Sequence, residues 1–155
     1  MSKFGVMAAV SLTLPAYACK LTPRAGAAPL IWDPLRRRQV VCTPEEWVRQ
    51  HVLHYLTGHL GYPASLLSIE RGTGQLGQRT DLRAYGADGR PAVLIECKAP
   101  DVKLTPAVLA QAQRYWQRVP ARFVVLTNGV EHLCWEVGPP ARQWERYPAW
   151  EEVGM

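Results

Sequence analysis

Residues 79–98 read Arg-Thr-Asp-Leu-Arg-Ala-Tyr-Gly-Ala-Asp-Gly-Arg-Pro-Ala-Val-Leu-Ile-Glu-Cys-Lys, and their reading decides the architecture. Residues 79–85 and 92–97 are strand-like runs flanking Gly86-Ala87-Asp88-Gly89-Arg90-Pro91. Asp-Gly between two such runs is a hairpin signal. With Asp88-Gly89 at the centre of the turn, paired residues have numbers summing to 177, so Asp81 stands opposite Glu96. Directly opposed Cβ atoms lie roughly 4.5–5.5 Å apart. Lys98 is two residues beyond Glu96 and shares its face.

The run 92–97 is rich in Val, Leu and Ile and reads as a central strand. Two carboxylates facing each other there repel, and partial burial makes the repulsion worse. A divalent cation between them removes the difficulty, and hard oxygen ligands completed by water suit Mg²⁺. Such a metal can lower the pKa of a bound water and neutralise a phosphate. Lys98 adds a positive charge beside it, able to hold or deprotonate an attacking water and to stabilise a pentavalent transition state. The same residues also allow a purely structural ion pair, Asp81–Lys98 or Glu96–Arg79, on a half-exposed sheet.

Working outward, Thr43-Pro44-Glu45-Glu46 begins a helix, with Thr43 as N-cap and Glu46 in the capping-box position. Trp47, Val48, Val52, Tyr55, Leu56 and Leu60 recur at helical spacing, and Gly58 with Gly61-Tyr62-Pro63 ends the element. His51 and His54 have no third ligand in sight and read as packing or surface residues. Residues 66–70 form a short strand. Gly72-Thr73-Gly74-Gln75-Leu76-Gly77 matches G-x-G-x-x-G, but a strand follows it instead of a helix, so it is read as a hairpin loop. Gln78 breaks a Walker A pattern. A second helix spans residues 106–118, capped by Thr105, with Gln111 and Tyr115 on one face. Residues 122–127 form a buried strand, Asn128-Gly129 a turn, and 131–137 another strand. Residues 29–42 read as a hairpin around Asp33-Pro34 and Arg36-Arg37-Arg38, the arginines forming either a solvated face or a phosphate-contacting patch. The predicted order is β-hairpin, α, β, β, β, α, β, β: a mixed sheet with helices, α/β (α+β), in one domain.

Composition excludes several classes. In 155 residues, 48% apolar and 20% charged content rules out wholesale disorder, collagen and coiled coil. Cysteines 19, 42, 97 and 134 form no C-x-x-C pair, which argues against a zinc ribbon and a disulfide scaffold. A reducing compartment, the cytoplasm, is expected. A net charge of +5 suits a polyanionic partner, though modestly. Lys3, the apolar run 4–14 and Ala16-Tyr17-Ala18 look like a short secretory signal, too short and Pro-interrupted to span a membrane.

Asp81, Glu96-Cys97-Lys98 and Gln111-x-x-x-Tyr115, in that order, resemble the PD-(D/E)xK phosphodiesterase superfamily, in its branch with a Q-x-x-x-Y helix. Residues 43–50 (TPEEWVRQ), 61–63 (GYP), 79–82 (RTDL), 94–102 (LIECKAPDV) and 126–129 (LTNG) extend the likeness. They resemble the N-terminal nuclease-like domain of type I restriction enzyme R subunits, in its small stand-alone form. The likeness covers residues 14–137, leaving 1–13 as an N-terminal extension and 138–155 as a Pro/Trp-rich tail expected to pack as irregular covering. It sets the domain's start near Leu14, against the signal reading.

The resemblance implies a restriction-endonuclease-like αβββαβ core preceded by the β-hairpin. It implies Asp81 and Glu96 as Mg²⁺ ligands, with Mn²⁺ as a substitute, and Lys98 as catalytic lysine. Glu46 matches a further acid from the helix before the sheet; its alternative is the capping role, and Glu45 and Glu70 are the other candidates. Gln111 and Tyr115 would be accessory, and Thr80 replaces the Pro of the motif's name. Arg36, Arg37, Arg38, Arg79 and Arg83 are the candidate nucleic-acid contacts. The expected activity is metal-dependent cleavage of DNA in a restriction, defence or repair setting. The alternative is a catalytically silent module binding nucleic acid or protein. No Walker A motif, translocase or target-recognition domain is seen, so sequence specificity would come from a protein partner.

Overall fold

This computed structural model describes residues 10–71 and 80–153, with Arg71, Thr80 and Asp81 described at the level of the backbone. Strands β1 (Leu21–Arg24), β2 (Ala27–Asp33) and β3 (Arg38–Val41) form a three-stranded antiparallel sheet. The β2–β3 hairpin is the one expected. Strand β1 was not expected, because its four residues Leu-Thr-Pro-Arg are all exposed and contain a proline. It forms because β2 offers it a free edge.

Helix α1 (Pro44–Gly58) starts at Thr43, whose hydroxyl accepts from the Glu46 amide at 3.1 Å. A 3₁₀ turn (Ala64–Leu66) leads into β4 (Leu67–Arg71). Next come β5 (Thr80–Tyr85), β6 (Pro91–Cys97), α2 (Pro106–Trp116), β7 (Phe123–Thr127) and β8 (His132–Glu136). From α1 to β7 this is the expected α, β, β, β, α, β order. The Gly-rich segment 72–77, read as a hairpin loop, lies outside the described residues. The strand predicted to follow it is present, with Arg71 paired to Thr80.

Strands β4 to β8, followed by β9 (Arg142–Trp144), lie side by side in sequence order. Every neighbouring pair is antiparallel except β6–β7, which is parallel and connected by α2. A parallel pair requires such a crossover. Strand β6 is the central element, and Ala92 to Cys97 are buried without interruption, as expected of a strand covered on both faces. Val93, Ile95 and Cys97 join Leu82, Phe123 and Val125 in the core beneath α1, which contributes Val48, Val52, Leu53 and Leu56. Leu94 turns to the other face with Val124 and Leu126, against Ala112 and Trp116 of α2.

The β5–β6 register follows the expected rule for Leu82↔Ile95, Arg83↔Leu94 and Ala84↔Val93. The connection itself is not the simple turn that the rule assumed. Gly86 N donates to Arg90 O at 2.8 Å, closing a three-residue loop in which Gly89 has φ 79°. That loop alone would shift every pair by one. A β-bulge between Ala84 and Tyr85 leaves Ala92 as an extra residue and restores the register.

The C-terminal segment departs from expectation. Instead of irregular covering it supplies β9 (Arg142–Trp144), paired with β8, and a short helix α3 (Trp150–Val153). Tyr147 and Val153 are buried, and the Tyr62 hydroxyl donates to Pro148 O at 2.7 Å. At the other end, Leu14 is buried and Tyr17 stacks on His54 with ring centroids 3.7 Å apart. Thr13 N donates to Gly129 O at 2.8 Å. Among the described residues no helix is long and apolar enough to cross a membrane. All four cysteines are free thiols.

Candidate functional site

Side-chain alternation sets the site on the α2 face of the sheet. Glu96 follows the Leu94 face of β6, and its Cα partner on β7 is Leu126. Glu70 of β4 is the Cα partner of Asp81 on β5. The β5–β6 register, continued by one residue from Leu82↔Ile95, sets the Asp81 backbone beside Glu96. Three acidic positions on adjacent strands therefore form one row. The side chain of Asp81 lies outside the described residues.

Glu96 is 3% exposed, and the Lys98 ammonium sits 3.4 Å from its Oε1. Lys98 is held at the strand end by its own amide, which donates to Thr127 O at 2.8 Å. The expected adjacency of these two groups is thus present. Glu70 is half-buried and accepts from the hydroxyls of Ser68 at 2.8 Å and Tyr85 at 3.2 Å. The sequence reading kept Glu70 only as a reserve candidate. Its cross-strand partnership with Asp81 is what brings it forward, and the Gly-rich loop between them left that register unreadable.

Arg83 and Tyr115 meet across the layers, the guanidinium donating to the phenol oxygen at 3.0 Å. This ties β5 to α2 beside the acidic row. Gln111, one turn earlier on α2, is exposed. Arg79 lies outside the described residues.

Glu46 sits in the first turn of α1, the helix on the opposite face of the sheet. One carboxylate oxygen receives Arg36 Nη2, and the other receives Arg49 Nη1 at 2.8 Å. Arg49 also reaches Glu45 at 2.9 Å. Only half of the capping box forms, because Glu46 turns to the arginines and the Thr43 amide donates to Val41 O. Arg36 also pairs with Asp33, which is fully buried. The arginine triplet therefore divides, with Arg36 directed into the protein and Arg37 and Arg38 exposed. Beneath the site, burial pushes the Cys97 thiol well up; Arg49 opposes the shift and Glu96 adds to it. Cys97 is accordingly a packing residue and not a nucleophile.

Hard carboxylate oxygens at Glu70, Asp81 and Glu96, with an ammonium beside them, match the donor chemistry of a Mg²⁺ site. Among the described residues, which exclude the Asp81 side chain, no cluster of three metal-ligating side chains forms. A groove of about 750 Å³ lies at the other end of the α2 face. It is lined by apolar Trp116, Val119, Val124 and Trp135 and shares no residue with the acidic row.

No curated protein matches the chain at a significant level. The family model of the type I restriction enzyme R protein N terminus matches residues 44–149, a span containing α1, the whole six-stranded sheet, α2 and the acidic row. The chain belongs to the family of the type I restriction enzyme R protein N terminus.

Proposed function

We propose that this protein is a Mg²⁺-dependent nucleic-acid phosphodiesterase with a restriction-endonuclease-like core, acting on DNA. Its family sets a restriction–modification context. The observation carrying the reading is the Lys98 ammonium 3.4 Å from the buried Glu96 carboxylate, at the end of the row that includes Asp81. A bound divalent ion, held by Asp81 and Glu96 with Glu70 beside them, would supply charge neutralisation and an acidified water. Mn²⁺ would substitute for it.

The chain's own residues divide the remaining work. Lys98 Nζ orients the attacking water and offsets charge developing on the phosphate oxygens. Tyr115, fixed by Arg83, shapes the α2 side of the site, and Gln111 is placed to meet a phosphate from the same helix face. Arg83, two residues beyond Asp81 on β5, supplies a cation for the backbone, and Arg79 supplies another. Arg37 and Arg38 are the outlying contacts. Glu46 would have to release a guanidinium to join the metal ligands. Its described role is to anchor α1, and Arg36 acts with it. A partner protein would supply sequence specificity.

The test is incubation with supercoiled, linear, single-stranded and branched DNA in Mg²⁺ or Mn²⁺. Cleavage by the wild type, lost in Asp81→Ala and Lys98→Ala, supports the proposal. No cleavage of any substrate sinks it and favours a silent nucleic-acid or protein-binding module.

A further inference from the structure

The charge of this protein is segregated. Residues 44–155 hold twelve basic and twelve acidic side chains and balance. The whole excess of +5 comes from residues 1–43, where Lys3, Lys20, Arg24, Arg36, Arg37 and Arg38 face Asp33 alone. Asp33 is fully buried and paired with Arg36, so it does not offset the surface. Residues 21–41 span the three-stranded sheet, and they and Lys20 just before them lie outside the family-matched span.

That sheet has an inner and an outer face. Ile31 and Asp33 of β2 are fully buried on the inner one. The alternate residues Leu30 and Trp32 face outward, and Trp32 is 38% exposed. Trp32 is the Cα partner of Gln39, and its amide donates to Lys20 O at 3.0 Å, so it stands between Lys20 and Gln39. The adjacent row contains Thr22, Leu30 and Val41, with Val41 45% exposed. Arg37 is exposed at the hairpin's turn, while Arg38, the Cα partner of Asp33, belongs to the other face's row. An indole in the middle strand is thus framed by cations and an amide, and among residues 20–41 the one acid is the buried Asp33.

We infer that the outer face of β1–β3 is a platform for single-stranded nucleic acid, with Trp32 stacking on a base and Lys20 and Arg37 meeting phosphates. An exposed aromatic on a flat sheet needs the open face of an unstacked base, which a duplex hides within its own stack. The cations supply the sequence-independent attraction to the backbone. This inference shares with the preceding section only the expectation of a polynucleotide partner.

The experiment is fluorescence anisotropy with short labelled oligo-dT, oligo-rU and a duplex of equal length, in EDTA and over a range of salt. Wild-type protein should bind single strands more tightly than duplex. Trp32→Ala should weaken single-strand binding at least about fivefold and leave duplex binding unchanged. Replacing Lys20 and Arg37 by Ala should flatten the salt slope by about 0.7 per lost contact on single strands. Trp32→Phe, which keeps a ring, should retain most affinity but lose the part of the tryptophan quenching that bound oligonucleotide causes in the wild type. That variant serves even where the Ala variant fails to fold. The inference is overturned if the wild type does not prefer single strands, or if affinity and quenching are indifferent to position 32. Comparing dT with rU separates DNA from RNA. A protein that binds through Trp32 yet cuts nothing upholds this inference while sinking the nuclease reading. One that cuts DNA with Trp32 silent does the reverse.

Discussion

Arg36 and Glu46 form an ion pair that joins the β2–β3 hairpin to the first turn of α1. The Glu46 side chain is 6% exposed and that of Arg36 23%. Arg36 also neutralises the fully buried Asp33. Arg36→Ala would leave two sequestered carboxylates short of a counter-charge. It should cost about 3 kcal/mol, at the low end for breaking a buried pair because Arg36 retains some contact with water. Arg37→Ala and Arg38→Ala, at exposed positions, should stay within about 0.5 kcal/mol. Urea denaturation of the three variants checks this, and equal stabilities would contradict the division of the triplet.

Lys98→Ala should lower the cleavage rate by about 10²–10³-fold, the scale of removing one preorganised charge from a reacting centre. Glu96→Gln should abolish the requirement-dependent response to Mg²⁺ as well as the rate. Single-turnover cleavage at saturating DNA measures both. Rates within a factor of about two of wild type would remove Lys98 from the chemistry.

Metal binding should raise the melting temperature. Carboxylates in one row repel when no cation lies between them, and an ion bound only by the folded state adds about 2.7 kcal/mol at a hundredfold excess over its Kd. Millimolar Mg²⁺ or Mn²⁺ should therefore shift the melt of the wild type but not that of Asp81→Asn with Glu96→Gln. A shift equal in both proteins would place the ion elsewhere.

Acid should destabilise the fold just below neutrality. Burial lowers the pKa of His51, His54 and His132 from 6.5. At His132, Thr13 Oγ1 donates to Val130 O and lies 2.6 Å from Nε2, so Nε2 carries the proton. Nδ1 then offers its one lone pair to the hydroxyls around it, Thr127 at 2.7 Å and Tyr147 at 2.9 Å. The unfolded chain binds more protons than the folded one below about pH 6.5, so stability is full above that value and falls with pH towards the folded-state pKa values. Melting at pH 7.5 and 5.5 should show the lower temperature at 5.5, with a smaller difference in His132→Gln. A flat profile would rule out neutral histidines as part of the packing.

Much of the site was legible because β-register is arithmetic. The pairing of residues 82–84 with 93–95 follows from the position of Asp88-Gly89, although a longer loop and a bulge reach that pairing together. Glu96 and Lys98 needed only the two-residue period of a strand. The Arg83–Tyr115 contact was hidden because it joins two layers, and no local pattern reports which residues meet across them. Arg36 could not be told from Arg37 and Arg38, since identical neighbours differ only in where a turn directs them. Here Arg37 takes a positive φ of 53° and parts the three. Strand β9 was obscured by its length, three residues set among prolines.

The compensation between the three-residue loop and the extra Ala92 makes parity a property of the whole hairpin. Straightening the bulge with Ala92 retained would slide β6 by one position against β5, and a slip of one residue exchanges the two faces of a strand. Glu96 would then turn towards the apolar side under α1, while Ile95 and Cys97 would move to the α2 side. Deleting Ala92 removes the bulge together with its extra residue, so Tyr85↔Pro91 would run directly into Ala84↔Val93 and Glu96 would keep its face. The site therefore depends on the pairing of Ala84 with Val93, and a chain one residue shorter at position 92 meets that requirement as well as this one does.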